Sequence, residues 1–348
     1  MHSRPSSDES QLHQQLEILW RTDPGLPLLE AAARIGRPEA RLMAARVGAA
    51  VVRLEPSWPE LCRGLMTLGT VTLHVDCRVG IHRKEVRLND VGAADITAIC
   101  RGEGTELRLL LSRWASGFAV CEGGVPGAPE GLHFYDRHGD SALRVLVSHQ
   151  THRASWAKLV AAHRAVEQGA PLELEPLPLP PPATPPTVSA EALRAAWGGL
   201  SDARDFFRLL RSFNLTRAQA YQLVGPTFAV EISQNGVQEL LERCSADNVP
   251  LAFALGNRAA IHVHNGTLEC VSTAGPLTVI RDPGHTILLH RGRFASAWVV
   301  HRRGLEGLQT TVELLTEHGD VVGTLRPSDL QDWRWRRLTE HTLLRGAA

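Results

Sequence analysis

Apolar and polar positions divide the chain into helical stretches and short β-rich stretches, and the succession occurs twice. Residues 16–20 open a helical region. Asp23-Pro24 then supplies an N-cap and a first-turn proline, and the regular part of the next helix is expected over 28–35. Gly36-Arg37-Pro38-Glu39 opens a further helix towards Val47. From Thr70 the pattern becomes β-rich, predicting strands at 70–75, 80–86, 96–100, 107–112, 117–121, 132–135 and 143–147. Turn signals at Asn89-Asp90, Gly102-Glu103-Gly104, Gly123-Gly124 and His138-Gly139-Asp140 separate them. Successive strands with no helix between them predict antiparallel pairing. A helix over 154–167 closes this half. Helices return at 190–197, 203–213, 217–224 and 237–246, strands follow over 251–325, and the tail from Leu330 reads as helix.

The two halves share one plan. Stepping back 180 residues from the second half, Arg258 falls on Arg78, Ile261-His262 on Ile81-His82, Arg281 on Arg101, Gly284 on Gly104 and Arg293 on Arg113. His318-Gly319-Asp320 likewise falls on His138-Gly139-Asp140. One constant offset over some sixty residues marks a duplicated domain, since the period is far too long for a solenoid. The fold class expected is α+β, each half a helical lead-in followed by a large antiparallel sheet. The boundaries expected are a disordered N-terminus over 1–15, repeats over 16–168 and 189–348, and a proline-rich linker over 169–188. Proline lacks the backbone donor, so that linker reads as extended polyproline II.

Composition narrows the function. The 348 residues include 37 basic and 37 acidic side chains, a net charge of zero that argues against a general nucleic-acid or membrane-surface binder. Nearly all the basic residues are arginine, Lys84 and Lys158 being the exceptions. The six cysteines have no CxxC spacing and read as reduced thiols. With no apolar run of membrane-spanning length and a polar start carrying Asp8 and Glu9, a cytoplasmic protein that is not integral to a membrane is expected. No HExxH, G-x-S-x-G or P-loop pattern occurs. His149 and His152 have no partner at ligand spacing. His262 and His264, two apart on a strand, share a face and would suit zinc or simple hydrogen bonding. In the helix over 203–213, Phe206, Phe207, Leu210 and Phe213 are expected to face the core, with Arg204, Arg208 and Arg211 on another face.

These residues resemble a known family. Trp197-Gly-Gly-Leu-Ser-Asp-Ala-Arg-Asp-Phe-Phe is similar to the W-x-x-L-x-D-x-H-x-F-F of the bacterial hemin-transport or hemin-degrading factors, the HemS-like haem-utilisation proteins. Leu215-Thr216-Arg217, the run from Phe253 to Gly266, Gly80-Ile81-His82 and the run from Leu107 to Trp114 resemble other motifs of that family. The resemblance implies haem b, as cargo or substrate, in a cleft between the halves. It implies Arg108 on the distal side and Arg217 and Arg302 at the haem propionates. Arg204 stands where the family has its proximal histidine. Arginine keeps its proton and offers no lone pair, so Arg204 cannot ligate iron as that histidine does. His82 is the position-matched substitute, with His264 and His301 behind it. Three outcomes stay open: a relocated ligand, haem held by apolar burial and arginines, or a scaffold without haem. The function implied is a haem-binding and trafficking protein that accepts imported haem and hands it on. The partners implied are the cytoplasmic face of a haem ABC importer and a downstream haem oxygenase, and the alternative is an enzyme that opens the haem ring with an external reductant.

Overall fold

The computed structural model describes residues 7–48, 50–121, 125–178, 188–304, 307–329 and 332–346. They form two compact units: Met1–Asp76 with Arg83–Pro178 and Asn257–His262, and Cys77–His82 with Leu179–Gly256 and Val263–Ala348. The units do not follow the sequence halves residue for residue. Each takes in a six-residue segment of the opposite half, 77–82 in one and 257–262 in the other, and these segments are repeat mates at the offset of 180.

Unit 1 contains the helices α1 (Ser7–Thr22), α2 (Leu28–Ile35), α3 (Glu39–Ala44), α4 (Trp58–Gly64) and α5 (Arg153–Ala162). Its strands come from β1 (Val51–Arg53), β2 (Gly69–Cys77), β3 (Gly80–Ala93), β4 (Ala98–Gly102), β5 (Thr105–Leu109), β6 (Trp114–Val120), β7 (Gly131–Asp136) and β8 (Ser141–Thr151). Antiparallel pairing runs β1–β6–β7–β8–β2, and separately β3–β4–β5. Two cores flank the strands. In one, Trp114 stacks on Phe134 at 4.4 Å and Trp58 meets Phe134 edge-on at 5.8 Å. In the other, the leading helices close over Phe118 and Tyr135.

Several expectations need correction here. The N-terminus expected as disordered is helical from Ser7, because Leu12, Leu16 and Trp20 recur one turn apart and are all buried. Asn89-Asp90 is not a turn: β3 runs through it, and a bulge opposite β4 absorbs the irregularity between Leu88 and Asp90. Gly123-Gly124 and residues 179–187 of the proline-rich stretch lie outside the described residues. The earlier part of that stretch is packed down, with Leu172 buried and the Glu175 amide donating to the Arg137 carbonyl at 2.8 Å.

Unit 2 repeats the plan with α6 (Ala190–Gly198), α7 (Ala203–Ser212), α8 (Arg217–Val224), α9 (Gln234–Ala246) and α10 (Trp333–Gly346). Its strands come from β9 (Ala229–Ile232), β10 (Leu251–Gly256), β11 (Ala260–Gly266), β12 (Val271–Ala274), β13 (Leu277–Asp282), β14 (His285–His290), β15 (Ser296–Gly304), β16 (Gly307–Leu315) and β17 (Val321–Pro327). Pairing runs β9–β15–β16–β17–β10 and β12–β13–β14, again antiparallel. The exchanged start of β3 approaches β14 closely: a Cβ on Gly80 would lie 1.8 Å from the Leu288 carbonyl oxygen, so only glycine fits. No described helix is long and apolar enough to cross a membrane.

Candidate functional site

The site in unit 2 is built where α7, α8 and the β15–β16 hairpin meet. Thr216 caps α8, its hydroxyl accepting from the Gln219 amide while the Gln219 side chain accepts from the Thr216 amide. This capping box fixes Arg217 in the first turn and puts Tyr221 one turn later on the same face. On the hairpin, alternation turns Trp298, Val300 and Arg302 of β15 to the same face as Thr311 and Glu313 of β16.

Glu313 is the centre. It is 2% exposed, and its carboxylate accepts from Arg217 Nη1 at 2.7 Å, from the Tyr221 hydroxyl at 2.5 Å and from Arg302 Nη2. Burial alone would raise its pKa, but the charges of Arg302 and then Arg217 outweigh that and hold the carboxyl below its ordinary value. Two guanidiniums on one carboxylate leave a net charge of +1. Phe206 lies under both arginines, 4.5 Å from Arg302 and 5.1 Å from Arg217, and Arg217 also lies over Phe207 at 5.0 Å. Trp197 and Tyr221 back Phe206, and the Trp197 indole donates to the His301 carbonyl at 3.0 Å.

Phe207 departs from its expected core position: it is 52% exposed, while Leu209 takes a buried place on α7. The arrangement is a partly screened cationic pair beside an exposed aromatic ring, suited to an anionic group carried on a flat apolar body.

The structure brings Arg217 and Arg302 together and sets the other expected residues elsewhere. Arg204 lies in the first turn of α7, and its side chain is outside the described set. Arg108 is in unit 1 on β5, half exposed and paired with Glu106 at 2.6 Å. His82 is 0% exposed, its Nε2 3.1 Å from His285 Nε2. His301 hydrogen-bonds Thr310 at 2.9 Å on the face of the hairpin opposite Arg302. His264 stacks on His285, whereas His262 belongs to unit 1 and meets Thr105 at 2.9 Å; the two do not share a site. Glu313 and Tyr221 escaped the sequence reading. The available signals were a lone carboxylate inside the apolar run of β16 and a tyrosine four residues after Arg217.

Fold and site define a duplicated α+β protein with an arginine-carboxylate cluster beside an aromatic wall in its second repeat. The chain belongs to the family described as the haemin-degrading HemS.ChuX domain, which matches residues 36–163 and 214–341, one match per repeat. It is 29% identical over 317 residues to the hemin transport protein HmuS of Yersinia pestis, covering 90% of this chain and 91% of that protein. The crystal structure of holo-PhuS, a heme-binding protein from Pseudomonas aeruginosa, superposes with a TM-score of 0.88 at 26% identity, covering 95% of this chain and 98% of the other. The heme degrading enzyme ChuS of Escherichia coli O157:H7 shares the fold, with a TM-score of 0.85 at 24% identity over 96% of this chain and 99% of the other.

Proposed function

We propose that the protein binds haem b and traffics it in a haem-uptake system, with Arg217 and Arg302 receiving a propionate. The convergence of these two arginines on one buried glutamate carries the reading. Glu313 neutralises one guanidinium and leaves the other charge for an incoming carboxylate. Phe207 offers apolar surface of the kind a porphyrin covers. A hemin transport protein among the relatives and a haem-bound structural neighbour support the same reading. Arg108 is proposed as a haem-binding residue on its match to the family's motif, and Arg204 as a cationic residue where that family's motif has its ligand. In this reading haem is held by apolar burial and arginines rather than by His82, which favours hand-over above ring opening, because axial ligation governs oxygen chemistry at haem iron. A cytoplasmic site of action and exchange with an importer and a haem oxygenase complete the proposal.

The test is a haem titration followed by Soret absorbance. Wild type is expected to saturate at one haem, Arg217→Ala and Arg302→Ala each to bind about tenfold more weakly, in line with a lost charged contact, and Arg204→His to acquire an imidazole-ligated spectrum. No saturable binding by wild type, or unchanged affinity in the Arg217→Ala/Arg302→Ala double variant, overturns the proposal.

A further inference from the structure

Unit 2 gathers a second set of functional side chains that the haem reading does not use. His264 on β11, Asp282 at the end of β13 and His285 at the start of β14 place ligand-type atoms within 4.8 Å of one another; the two histidines are buried and the Asp282 side chain is 8% exposed. The local sequence explains the pairing of two of them. Asp282-Pro283-Gly284-His285 is a tight hairpin turn, with Gly284 at φ 65, so Asp282 and His285 stand directly opposite each other. The Asp282 carboxylate is aimed. Its Oδ1 accepts from the backbone amides of Glu269 at 2.9 Å and Cys270 at 3.2 Å, which leaves Oδ2 facing His285 Nδ1 at 3.2 Å. Behind His285, the other ring nitrogen meets His82 Nε2 at 3.1 Å.

We propose that His264, Asp282 and His285 form a binding site for a divalent transition-metal cation of the Zn2+ type, with His82 orienting His285 from behind. Imidazole and carboxylate donors select such ions over Mg2+ and Ca2+, which want oxygen ligands throughout. Two ligand atoms about 2.0 Å from a tetrahedral zinc lie about 3.3 Å apart, and the 3.2 Å between His285 Nδ1 and Asp282 Oδ2 matches that separation. The ion would replace the proton now shared by this pair. His264 lies face to face with His285, ring centres 4.2 Å apart and planes 8° off parallel. A neutral imidazole offers such an ion a ring-nitrogen lone pair. Closing the set to tetrahedral spacing draws His264 in by at most about 1.5 Å, the difference between the observed and the tetrahedral separation. His82 then acts as the partner that fixes a ligand's tautomer and ring orientation.

The duplication supplies an internal control. At the offset of 180, His82 corresponds to His262, His264 to Lys84, Asp282 to Gly102 and His285 to Thr105. Unit 1 keeps the buried histidine, and there it bonds Thr105, while the three proposed ligands are replaced by residues that form no such set. Packing of the repeat therefore needs only the one histidine. The other three residues are particular to unit 2.

The experiment uses the full chain, free of haem and stripped with a chelator, titrated with Co2+ and then Zn2+. Wild type is expected to bind one Co2+ with the d–d absorption of a tetrahedral site, which Zn2+ bleaches. Asp282→Asn and His264→Gln are expected to weaken binding at least tenfold, whereas His262→Gln, the repeat mate of His82, leaves it unchanged. X-ray absorption on the Zn2+-loaded wild type is expected to give an all-N/O shell with two imidazoles, a readout that does not depend on how the variants fold. Absence of saturable binding by wild type, a sulfur-containing shell, or full binding retained by Asp282→Asn and His264→Gln overturns the proposal.

Discussion

At the scale of single residues, Glu313 decides the character of the cluster formed with Arg217 and Arg302. A buried carboxylate holding two arginines is costly to disrupt, because removing one partner leaves charge with nothing to balance it. Glu313→Gln is therefore expected to lower stability by roughly 3 kcal/mol. The same change leaves Arg217 and Arg302 without their carboxylate, so added haem is expected to raise the melting temperature of this variant by more than it raises that of wild type. Thermal melts with and without one equivalent of haem check both statements, and an equal shift in the two proteins would show that Glu313 and the ligand do not compete for the arginines. Arg217 and Arg302 were legible in the sequence because their residue types and positions fit a known motif. Glu313 was not, since only the register of β15 on β16 brings position 313 beneath Arg302 and one turn of α8 brings Arg217 to it.

At the scale of elements, the arginine cluster depends on how α8 begins and the histidine cluster on how β3 begins. The capping box of Thr216 and Gln219 presents Arg217, and Thr216→Ala is expected to cost about 1 kcal/mol and to weaken haem binding, with Thr216→Ser restoring both. Denaturant melts beside a haem titration separate the two effects. Gly80 is the corresponding weak point of the exchanged segment. A methyl group there would overlap the Leu288 carbonyl, so Gly80→Ala is expected to destabilise by about 2 kcal/mol. Because Gly80 is two residues from His82, the same variant should loosen the His82–His285 contact and weaken Co2+ binding at constant haem affinity. Helix and strand order were legible from hydrophobic period and turn residues, and α8 was expected to the residue. The short strands β1 and β9 and the helix α4 were not, because three- and four-residue strands carry too little pattern to stand out and take their conformation from their neighbours.

At the scale of the whole molecule, acid is expected to be the weak direction. His133 is fully buried with its Nε2 donating to the Pro129 carbonyl at 2.8 Å, and burial, helped by the charge of Arg144, lowers its pKa to about 3. Burial pushes Asp76 the other way, but His74 and Arg144 prevail and bring it to about 2. Glu313 is lowered as well. In each case the unfolded chain takes up the proton first, so the stability these groups contribute is present at neutral pH and is lost as pH falls. The loss should begin near pH 6.5 with His133, at up to about 1.4 kcal/mol per pH unit, and steepen below about pH 4 as the carboxylates join. Urea midpoints between pH 7 and pH 3 check this. His133→Gln, which keeps a donor for Pro129, should flatten the curve above pH 4, and an unchanged slope in that variant would rule out His133 as its source.

The sequence by itself determined the duplication, the α+β class, the family and the two arginines that converge on Glu313, because periodicity, turn residues and motif spacing are properties of the linear chain. Tertiary structure alone decided the rest. It sent segments 77–82 and 257–262 into the opposite units, buried His82 against His285, and joined His264 to the turn at 282–285. The physical reason is common to all three. Which side chains face each other across strands is set by pairing register and by which strand lies alongside which, and residues far apart in sequence meet only once the core has fixed both.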